Sequence, residues 1–372
     1  MLPTKSADLL RLLSEGQNIV LSHELFKLLN DTAIAYIQEF EYTLFLDEEI
    51  EVVELSGITQ DDLKILKEQH LIETDPTSKR VKWLDSQYHG DFERTKREIQ
   101  QKALYEVESN IILWQLPPGI FGAFRQVYIM TFLFRGSILC LYFQKYRISF
   151  QYLHVEKDSQ GKYSFSQGYE EVPASEKTRI KSLLDVQSGI LNTNYLPKSK
   201  RKRDVGEQSA LSVSWYQNRK NKECISILKR NAVNYIQNYR HAPKNTVMWT
   251  TFKSVANKYE NSRMKAKCKR RERVSCNECN ARPCVLNFVP CNARATNQFA
   301  DRTTLIYLCN TFPVPPVVQY LSQGTTVALD TDLYALAQLM QWVWRSAIRR
   351  DEKVWLYLPS ARMRKLLLDW LG

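Results

Sequence analysis

The C-terminal end of this chain carries the clearest periodic pattern in its 372 residues. Apolar side chains recur there at helical spacing after two capping residues, Asp330 and Thr331. The apolar run at 354–358 then predicts a buried strand, Pro359 ends it, and Ser360 caps a final helix. A helix, a buried strand and a second helix in succession are typical of a parallel sheet that helices cover. We therefore expect an α/β fold.

Short apolar runs earlier in the chain predict further strands. They lie at residues 18–22, 42–46, 127–132, 137–143, 246–252 and 304–308. Each run has the length of a strand, and helical patterns separate several of them. This alternation predicts parallel sheets with helical crossovers.

Composition suggests where the domains divide. Residues 157–210 are polar and turn-rich and include a basic run at 198–203, so we interpret them as a linker. The predicted parts are a first α/β domain at 1–156, the linker at 157–210, and a second domain at 211–372 that carries a basic, cysteine-rich insertion at 253–291.

The chain is basic, with 52 lysines and arginines against 40 acids and a formal net charge of +12. This balance favours a polyanionic partner such as DNA or RNA, although a solvated basic surface explains the charge equally well. The N-terminus does not resemble a signal peptide, and the most apolar stretch is too short and interrupted for a membrane span. We therefore expect a cytoplasmic protein with no membrane partner.

The strand predicted at 42–46 ends on two adjacent acids, Asp47 and Glu48. Such a pair can serve a magnesium-bound nucleotide, because one carboxylate reaches the metal shell and the next orients the attacking water. On this interpretation Asp47 serves the metal and Glu48 the water. Acids also end strands simply by entering solvent, so the pair alone leaves both interpretations open.

The order of several motifs supplies a context for this pair. They are Ser22 with His23 and Glu24, the acidic pair, Thr131 at a strand end, the segment 292–297, and a late glutamine with two arginines. In this order the sequence resembles the superfamily 2, DEAD-like helicases, specifically the helicase-like proteins of bacteriophages and mobile elements, over about residues 18–150 and 285–372. The resemblance implies two RecA-like helicase-type domains and nucleic-acid-dependent ATP hydrolysis that drives DNA translocation or unwinding, with ATP and Mg²⁺ as ligands. For a phage-encoded chain it implies the host cytoplasm.

The same resemblance implies roles for individual residues. The catalytic candidates are Asp47, Glu48, Gln341, Arg345 and Arg349. Thr131 matches the motif that couples the two domains. The three late residues are spaced four apart, which predicts a shared helical face, and the family pattern places its second arginine closer to the first than Arg349 is to Arg345.

The glycine-rich phosphate loop of a helicase core is missing from this sequence. None of its 12 glycines belongs to a loop that ends in Lys-Ser or Lys-Thr. We therefore expect the first domain to be N-terminally incomplete. The chain is then a fragment, or has lost its nucleotide chemistry, or is completed by another chain that supplies the loop.

A basic segment at 263–273 has seven lysines or arginines in eleven residues, and Trp249, Phe252 and Tyr259 precede it. Phosphate contacts combined with base stacking are what a single-stranded nucleic-acid track requires, and a mobile charged loop is the alternative. The candidate nucleic-acid contacts are Lys265, Lys267, Lys269, Arg270, Arg271, Arg273, Arg294 and Asn297.

Four cysteines follow the basic segment: Cys276, Cys279, Cys284 and Cys291. Four thiolates can bind Zn²⁺ tetrahedrally. Only the first two have the tight CxxC spacing of a zinc ribbon, so reduced, partly buried thiols are the alternative. A rival to the helicase function is accordingly a non-catalytic nucleic-acid-binding protein that retains the helicase fold, with or without zinc.

Overall fold

The computed structural model of the chain describes residues 4–101, 103–107, 111–169, 172–193, 196, 206–265, 286–293 and 298–372. It divides into two compact units. Unit 1 comprises residues 1–150 and 313–330, and unit 2 comprises residues 151–312 and 331–372. No helix among the described residues combines the length and the apolar character needed to cross a bilayer.

The secondary-structure elements of the described residues are numbered in chain order. The helices are α1 (Lys5–Ser14), α2 (His23–Phe26), α3 (Asp31–Glu39), α4 (Gln60–Glu68), α5 (Glu93–Gln101), α6 (Ile138–Lys145), α7 (Ala174–Leu183), α8 (Gly206–Ser209), α9 (Val213–Gln217), α10 (Lys222–Asn234), α11 (Ala256–Tyr259), α12 (Pro315–Ser322), α13 (Thr331–Val343) and α14 (Ala361–Leu371). The strands are β1 (Thr43–Leu46), β2 (Val53–Leu55), β3 (Ile72–Thr74), β4 (Val81–Trp83), β5 (Leu104–Val107), β6 (Ile111–Gln115), β7 (Gln126–Ile129), β8 (Leu153–Lys157), β9 (Tyr163–Gln167), β10 (Leu184–Val186), β11 (Val247–Thr250), β12 (Thr304–Tyr307) and β13 (Val354–Tyr357).

Unit 1 contains both parallel and antiparallel strand pairs. Strands β1 and β7 pair in parallel, with Leu46 opposite Ile129. Between them in sequence, β2, β6 and β5 form an antiparallel sheet and β3 and β4 form an antiparallel pair. The prediction of parallel pairing is therefore confirmed for β1 and β7 but wrong for the stretch from β2 to β6. Strands β5 and β6 follow one another too closely for the helical crossover that a parallel pair needs.

The predicted strand at 137–143 is wrong, because residues 138–145 form helix α6. The hydroxyl of Ser137 caps this helix by accepting a hydrogen bond of 3.0 Å from the backbone N–H of Cys140. Five consecutive residues of α6, from Leu139 to Phe143, are buried, so the helix has no polar face to reveal its period. A short helix that is buried on all sides has the same apolar sequence pattern as a buried strand.

The predicted strand at 18–22 is also wrong. Those residues form no strand, and the side chain of Val20 is fully exposed. Ser22 instead caps α2, with its hydroxyl accepting a hydrogen bond from the backbone N–H of Leu25. A β-branched run therefore leads into a helix here without pairing to a neighbouring strand.

Unit 2 is built on a four-stranded parallel sheet with the strand order β10-β13-β12-β11. On one face of the sheet Trp249, Ile306 and Tyr357 pack against the apolar side of α10, which includes Leu228. On the other face the ring of Tyr307 contacts the indole of Trp342 on α13, with centroids 5.3 Å apart. The predictions of β11, β12, β13 and the last helix are confirmed, as is the α/β class with parallel sheets.

The structure differs from the predicted domain bounds at two places. The stretch interpreted as a linker contains the hairpin strand β9, helix α7 and strand β10, and β10 is an edge strand of the unit 2 sheet. Residues 313–330, assigned to the second domain from the sequence, belong to unit 1. Their helix α12 is held there by Tyr320, whose hydroxyl donates to Oε1 of Gln115 over 2.7 Å and whose carbonyl accepts from Nζ of Lys145 over 2.7 Å.

Candidate functional site

The carboxyl ends of the four parallel strands meet at one edge of the unit 2 sheet. We call this the carboxyl edge; it consists of the last residue of each strand and the loops 187–193, 251–255, 308–312 and 358–360 that follow. In open parallel α/β sheets, ligands bind at this edge. The carboxyl edge is therefore the candidate ligand site of unit 2.

Buried polar side chains are concentrated at the carboxyl edge. They are Asn192, Thr193, Thr250, Thr251, Asn310, Thr311 and Ser360. Burying a polar group costs free energy unless a hydrogen bond compensates it, so such a set marks a region with a defined polar geometry.

Asn310 is the centre of this polar set, with none of its side chain exposed. Its Nδ2 donates to the carbonyl oxygens of Gln208 and Ala210 over 2.6 and 3.0 Å, and its backbone N–H donates to the carbonyl of Leu211. Its Oδ1 accepts a hydrogen bond of 2.9 Å from Nη1 of Arg362. One amide therefore ties the loop after β12 to the chain ahead of α9 and to the first turn of α14.

The guanidinium of Arg362 completes the network. It donates to Oδ1 of Asp332 over 2.7 Å, to the carbonyl of Thr331 over 3.0 Å and to the carbonyl of Thr311 over 3.1 Å. It also lies over the ring of Phe312, 4.2 Å from the centroid. Because protein acceptors surround the guanidinium, its main role is to fix the two loops and the start of α13.

Two cysteines, Cys291 and Cys309, influence each other's pKa at the same edge. Cys309 lies two residues beyond the last residue of β12 and is completely buried, whereas Cys291 is partly exposed. The hydrogen bond from the Cys309 thiol lowers the pKa of Cys291, and burial raises the pKa of Cys309 well above its ordinary value. Cys291 was a predicted zinc ligand, whereas Cys309 was not among the predicted site residues. The available signal was its position directly after the predicted strand at 304–308.

The flanks of the predicted insertion lie side by side. Asn287 is buried, and its Oδ1 accepts hydrogen bonds from the indole Nε1 of Trp249 over 3.0 Å and from the backbone N–H of Lys265 over 2.9 Å. Its Nδ2 donates to the carbonyl of Arg263 over 2.8 Å. Residues 263–265 and Asn287 therefore lie next to one another beside β11.

The predicted acidic site lies at the ends of β1 and β7 in unit 1. Asp47 is exposed and Glu48 is half-buried, and both directly follow β1. Thr131, just beyond the end of β7, donates a hydrogen bond of 2.9 Å to Oε1 of Glu49. The structure therefore brings the acidic segment and Thr131 together, but the carboxylate that accepts the hydrogen bond belongs to Glu49, which was not among the predicted catalytic residues.

The glutamine and arginines predicted to close a nucleotide cleft do not lie at the carboxyl edge. Helix α13 ends at Val343, so Arg345 lies in the turn that follows and Arg349 in a 3-10 turn, and the prediction of one shared helical face with Gln341 is wrong. The backbone N–H of Ala347 donates to the carbonyl of Arg302, just before β12 begins. These arginines are therefore at the amino edge of the sheet, where Arg345 is buried and Arg349 is exposed.

The prediction that Trp249 and Tyr259 are available for base stacking is wrong. Both side chains are completely buried in unit 2. The hydroxyl groups of Tyr259 and Tyr216 lie 2.9 Å apart, within hydrogen-bonding distance. Phe252 is partly buried against the same apolar core. These aromatic residues stabilise the fold.

Most of the basic and cysteine candidates lie outside the described residues. They are Lys267, Lys269, Arg270, Arg271, Arg273, Cys276, Cys279, Cys284, Arg294 and Asn297. Within the described part of the chain, no group of three or more histidine, cysteine, aspartate or glutamate side chains is placed to hold a metal ion.

Charge is distributed unequally between the two units. Unit 2 has 36 lysines and arginines against 17 acids, a formal net charge of +19. Unit 1 has 16 lysines and arginines against 23 acids, a formal net charge of −7. The basic character of the chain is therefore a property of unit 2 alone.

Comparison with known proteins identifies relatives of both units. Residues 178–371 match the model of the YonV C-terminal Rossmann-like domain, which spans all four strands of the unit 2 sheet. Residues 53–114 match the YonV middle domain, which corresponds to the antiparallel part of unit 1.

The SPbeta prophage-derived uncharacterized protein YonV of Bacillus subtilis (strain 168) is 31% identical over 368 residues, covering 96% of this chain and 80% of that protein. No solved structure matches. These matches support a phage-derived protein with a Rossmann-like domain, and they do not name a helicase.

Proposed function

The chain belongs to the YonV family, and on that premise we propose that it is a nucleic-acid-binding protein whose binding surface lies on unit 2. The observation that carries the proposal is the formal charge of +19 on unit 2, against −7 on unit 1. Nucleic acids are polyanions, and lysines or arginines that neutralise their phosphates release bound counterions, which drives association. A basic charge that is confined to one part of a protein is the electrostatic signature of such a partner.

The proposed contact surface begins at the carboxyl edge and extends to the flanks of the insertion. In the described chain Lys253, Lys258, Arg263 and Lys265 follow β11, with Glu260 as the one acid among them. The insertion adds the cationic candidates Lys267, Lys269, Arg270, Arg271 and Arg273 by sequence.

The mode of binding follows from the burial of the neighbouring aromatic residues. Because Trp249 and Tyr259 are in the core, we expect contacts to phosphates and not a base-stacking platform built from these two rings. Phosphate contacts carry no sequence information directly. The protein should therefore bind many sequences with similar affinity.

Fluorescence anisotropy with labelled single-stranded DNA, duplex DNA and RNA tests the proposal. We compare the full chain with a triple variant, Lys253→Gln, Arg263→Gln and Lys265→Gln. A matched control removes three exposed charges from unit 1, with Lys64→Gln, Lys79→Gln and Lys82→Gln. Weaker binding by the unit 2 variant with little change in the control supports the proposal. Absence of binding by the wild-type chain, or equal losses in both variants, contradicts it.

ATP hydrolysis is a second candidate function, favoured by the geometry at Glu49 and Thr131. Two parallel strand ends place an acidic segment against a threonine, which is the arrangement that the helicase resemblance leads one to expect. Asp47 and Glu48 would serve Mg²⁺ and the attacking water, and another chain would supply the phosphate loop that this sequence lacks.

DNA-stimulated ATP turnover by the full chain tests this second function. Turnover that is abolished in Glu48→Gln and in Glu49→Gln would support it. Turnover that survives both substitutions would exclude the acidic segment as its source.

A further inference from the structure

The guanidinium of Arg240 lies over the indole ring of Trp355, with Cζ 3.8 Å from the ring centroid. Trp355 is the second residue of β13, so the contact is at the amino edge of the unit 2 sheet, where the four strands begin. Within the described chain no carboxylate is paired with this guanidinium, and its Nε is buried without a hydrogen-bond partner. An arginine that an aromatic ring holds in place, and that has no protein acceptor, is available to bind an anion.

A π-helical turn places Arg240 in this position. The turn, Tyr235–Tyr239, continues α10, and the backbone N–H of Arg240 donates to the carbonyl of Tyr235 over 2.9 Å. The ring of Tyr235 stacks on Tyr357, two residues beyond Trp355 on β13, with centroids 5.3 Å apart. The turn therefore makes two successive contacts along one strand. Such turns are rare and often occur at functional sites.

Two lysines add positive charge beside Arg240. Lys353 lies directly before β13, and its Nζ is 6.0 Å from the centroid of the Trp355 ring. Lys244 is exposed in the connection from the π-helical turn to β11. Both lysines are therefore at the same edge of the sheet as Arg240.

Most acids of the amino edge already have a basic partner. The ion pairs are Glu352 with Arg350, Asp351 with Arg179, and Asp301 with Arg302. Asp185 is exposed and lies opposite Trp355 in the register of β10 and β13. This one acid stands against Arg240, Lys244 and Lys353, so the edge keeps an excess of positive charge.

We propose that Arg240, Lys244 and Lys353 form a second phosphate-binding site of unit 2, which contacts the sugar–phosphate backbone of a bound nucleic acid. The fork of an arginine can donate two parallel hydrogen bonds to phosphate oxygens, and the lysines add point charges. Stacking on Trp355 orders the guanidinium before the ligand arrives, so less side-chain entropy is lost on binding. The inference rests on the proposed nucleic-acid binding and adds a contact region at the edge opposite the carboxyl edge.

Fluorescence anisotropy with labelled duplex DNA tests the site in the full chain. The double variant Arg240→Gln, Lys353→Gln removes one arginine and one lysine. A matched control, Lys222→Gln with Arg230→Gln, removes the same charges from exposed positions of α10. We expect the site variant to reduce the dependence of the logarithm of the affinity on the logarithm of the salt concentration by up to about 1.8, and the control to leave it unchanged.

The outcomes separate the second site from the proposed function. A wild-type chain that binds DNA, with equal slopes in the two variants, overturns the second site and leaves the proposed function standing. A wild-type chain that does not bind contradicts both. Because Arg240 is half-buried, circular dichroism checks that its variant folds, and if it does not, a measurement on the unaltered chain decides.

Lysine acetylation is that measurement. The wild-type chain is acetylated with and without saturating duplex DNA, and mass spectrometry locates the modified lysines. We expect DNA to reduce the acetylation of Lys244 and Lys353 and to leave that of Lys222 unchanged. Protection of Lys253 and Lys265 without protection of Lys244 and Lys353 overturns the second site and supports binding at the carboxyl edge alone.

Discussion

Thr131 donates a hydrogen bond to Glu49 across the ends of two parallel strands, although the two residues are 82 positions apart in the chain. The pairing of β1 with β7 creates this contact. It links the end of β7 to the acidic segment, and it gives the carboxylate of Glu49 a partner within unit 1.

Thr131→Val should therefore destabilise unit 1. The substitution removes a hydrogen bond to a charged acceptor while keeping the shape of the side chain, and a loss of about 1–2 kcal/mol in the free energy of unfolding is expected for a half-buried bond of this kind. Urea denaturation followed by circular dichroism measures it. Thr77→Val, at an exposed turn, is the control and should change the unfolding free energy by less than about 0.5 kcal/mol. Equal effects of the two substitutions would mean that the Thr131 contact contributes nothing.

Asn310→Ala should lower the free energy of unfolding by more than Thr131→Val does. It removes an amide that bonds to Gln208, Ala210 and Arg362, and it leaves buried acceptors and a guanidinium donor without their partner. We expect a loss of about 3 kcal/mol, since each buried polar group left unsatisfied costs about 1–3 kcal/mol. The same urea titration applies, with the exposed Asn245→Ala as control. A loss below about 1 kcal/mol would show that the network at the carboxyl edge is not a stabilising one.

The sequence predicted the elements whose secondary structure is determined by their own apolar pattern or capping residue. The apolar run of β13 and the Ser360 cap of α14 are local features, and both predictions are confirmed. Helix α6 was predicted as a strand because five consecutive residues, from Leu139 to Phe143, are apolar and buried. A helix that is apolar on every face lacks the alternation of polar and apolar residues on which a helix prediction depends.

The contacts of the candidate site could not be predicted because they join distant parts of the chain. Asn310 and Arg362 are 52 positions apart, and the strand order of the unit 2 sheet brings them together. The four-residue spacing from Gln341 to Arg345 suggested a shared face, but α13 ends between these two residues.

Glu176 should make the stability of unit 2 depend on pH. Nε of Arg179 donates to its carboxylate over 2.7 Å, and this hydrogen bond lowers the pKa of Glu176. A carboxylate whose pKa is lower in the folded state stabilises the fold above its unfolded pKa, and the contribution disappears as the pH falls through the folded value. The loss therefore begins below about pH 5.

Thermal melts at several pH values test this linkage. Glu176→Gln should lower the melting temperature near neutral pH and should lose less stability than the wild type on acidification. Glu15→Gln, at an exposed position in unit 1, is the control. Parallel wild-type and Glu176→Gln profiles would contradict the linkage.

Metal analysis of the purified chain tests whether the insertion binds zinc. If Cys276 and Cys279 are ligands as their spacing predicts, Cys276→Ser and Cys279→Ser should each lose bound zinc, and Cys224→Ser should retain it. Full zinc content in both variants, or no zinc in the wild type, would contradict the predicted zinc site.

The salt dependence of nucleic-acid binding tests the central claim most directly. If lysines and arginines of unit 2 neutralise phosphates, the logarithm of the affinity for duplex DNA falls linearly with the logarithm of the salt concentration, by about 0.9 for each contact. The triple substitution at Lys253, Arg263 and Lys265 should then reduce this slope by up to about 2.7. The matched triple substitution at Lys64, Lys79 and Lys82 should leave the slope unchanged. A wild-type affinity that does not depend on salt, or a slope that falls equally in both variants, would contradict binding through unit 2.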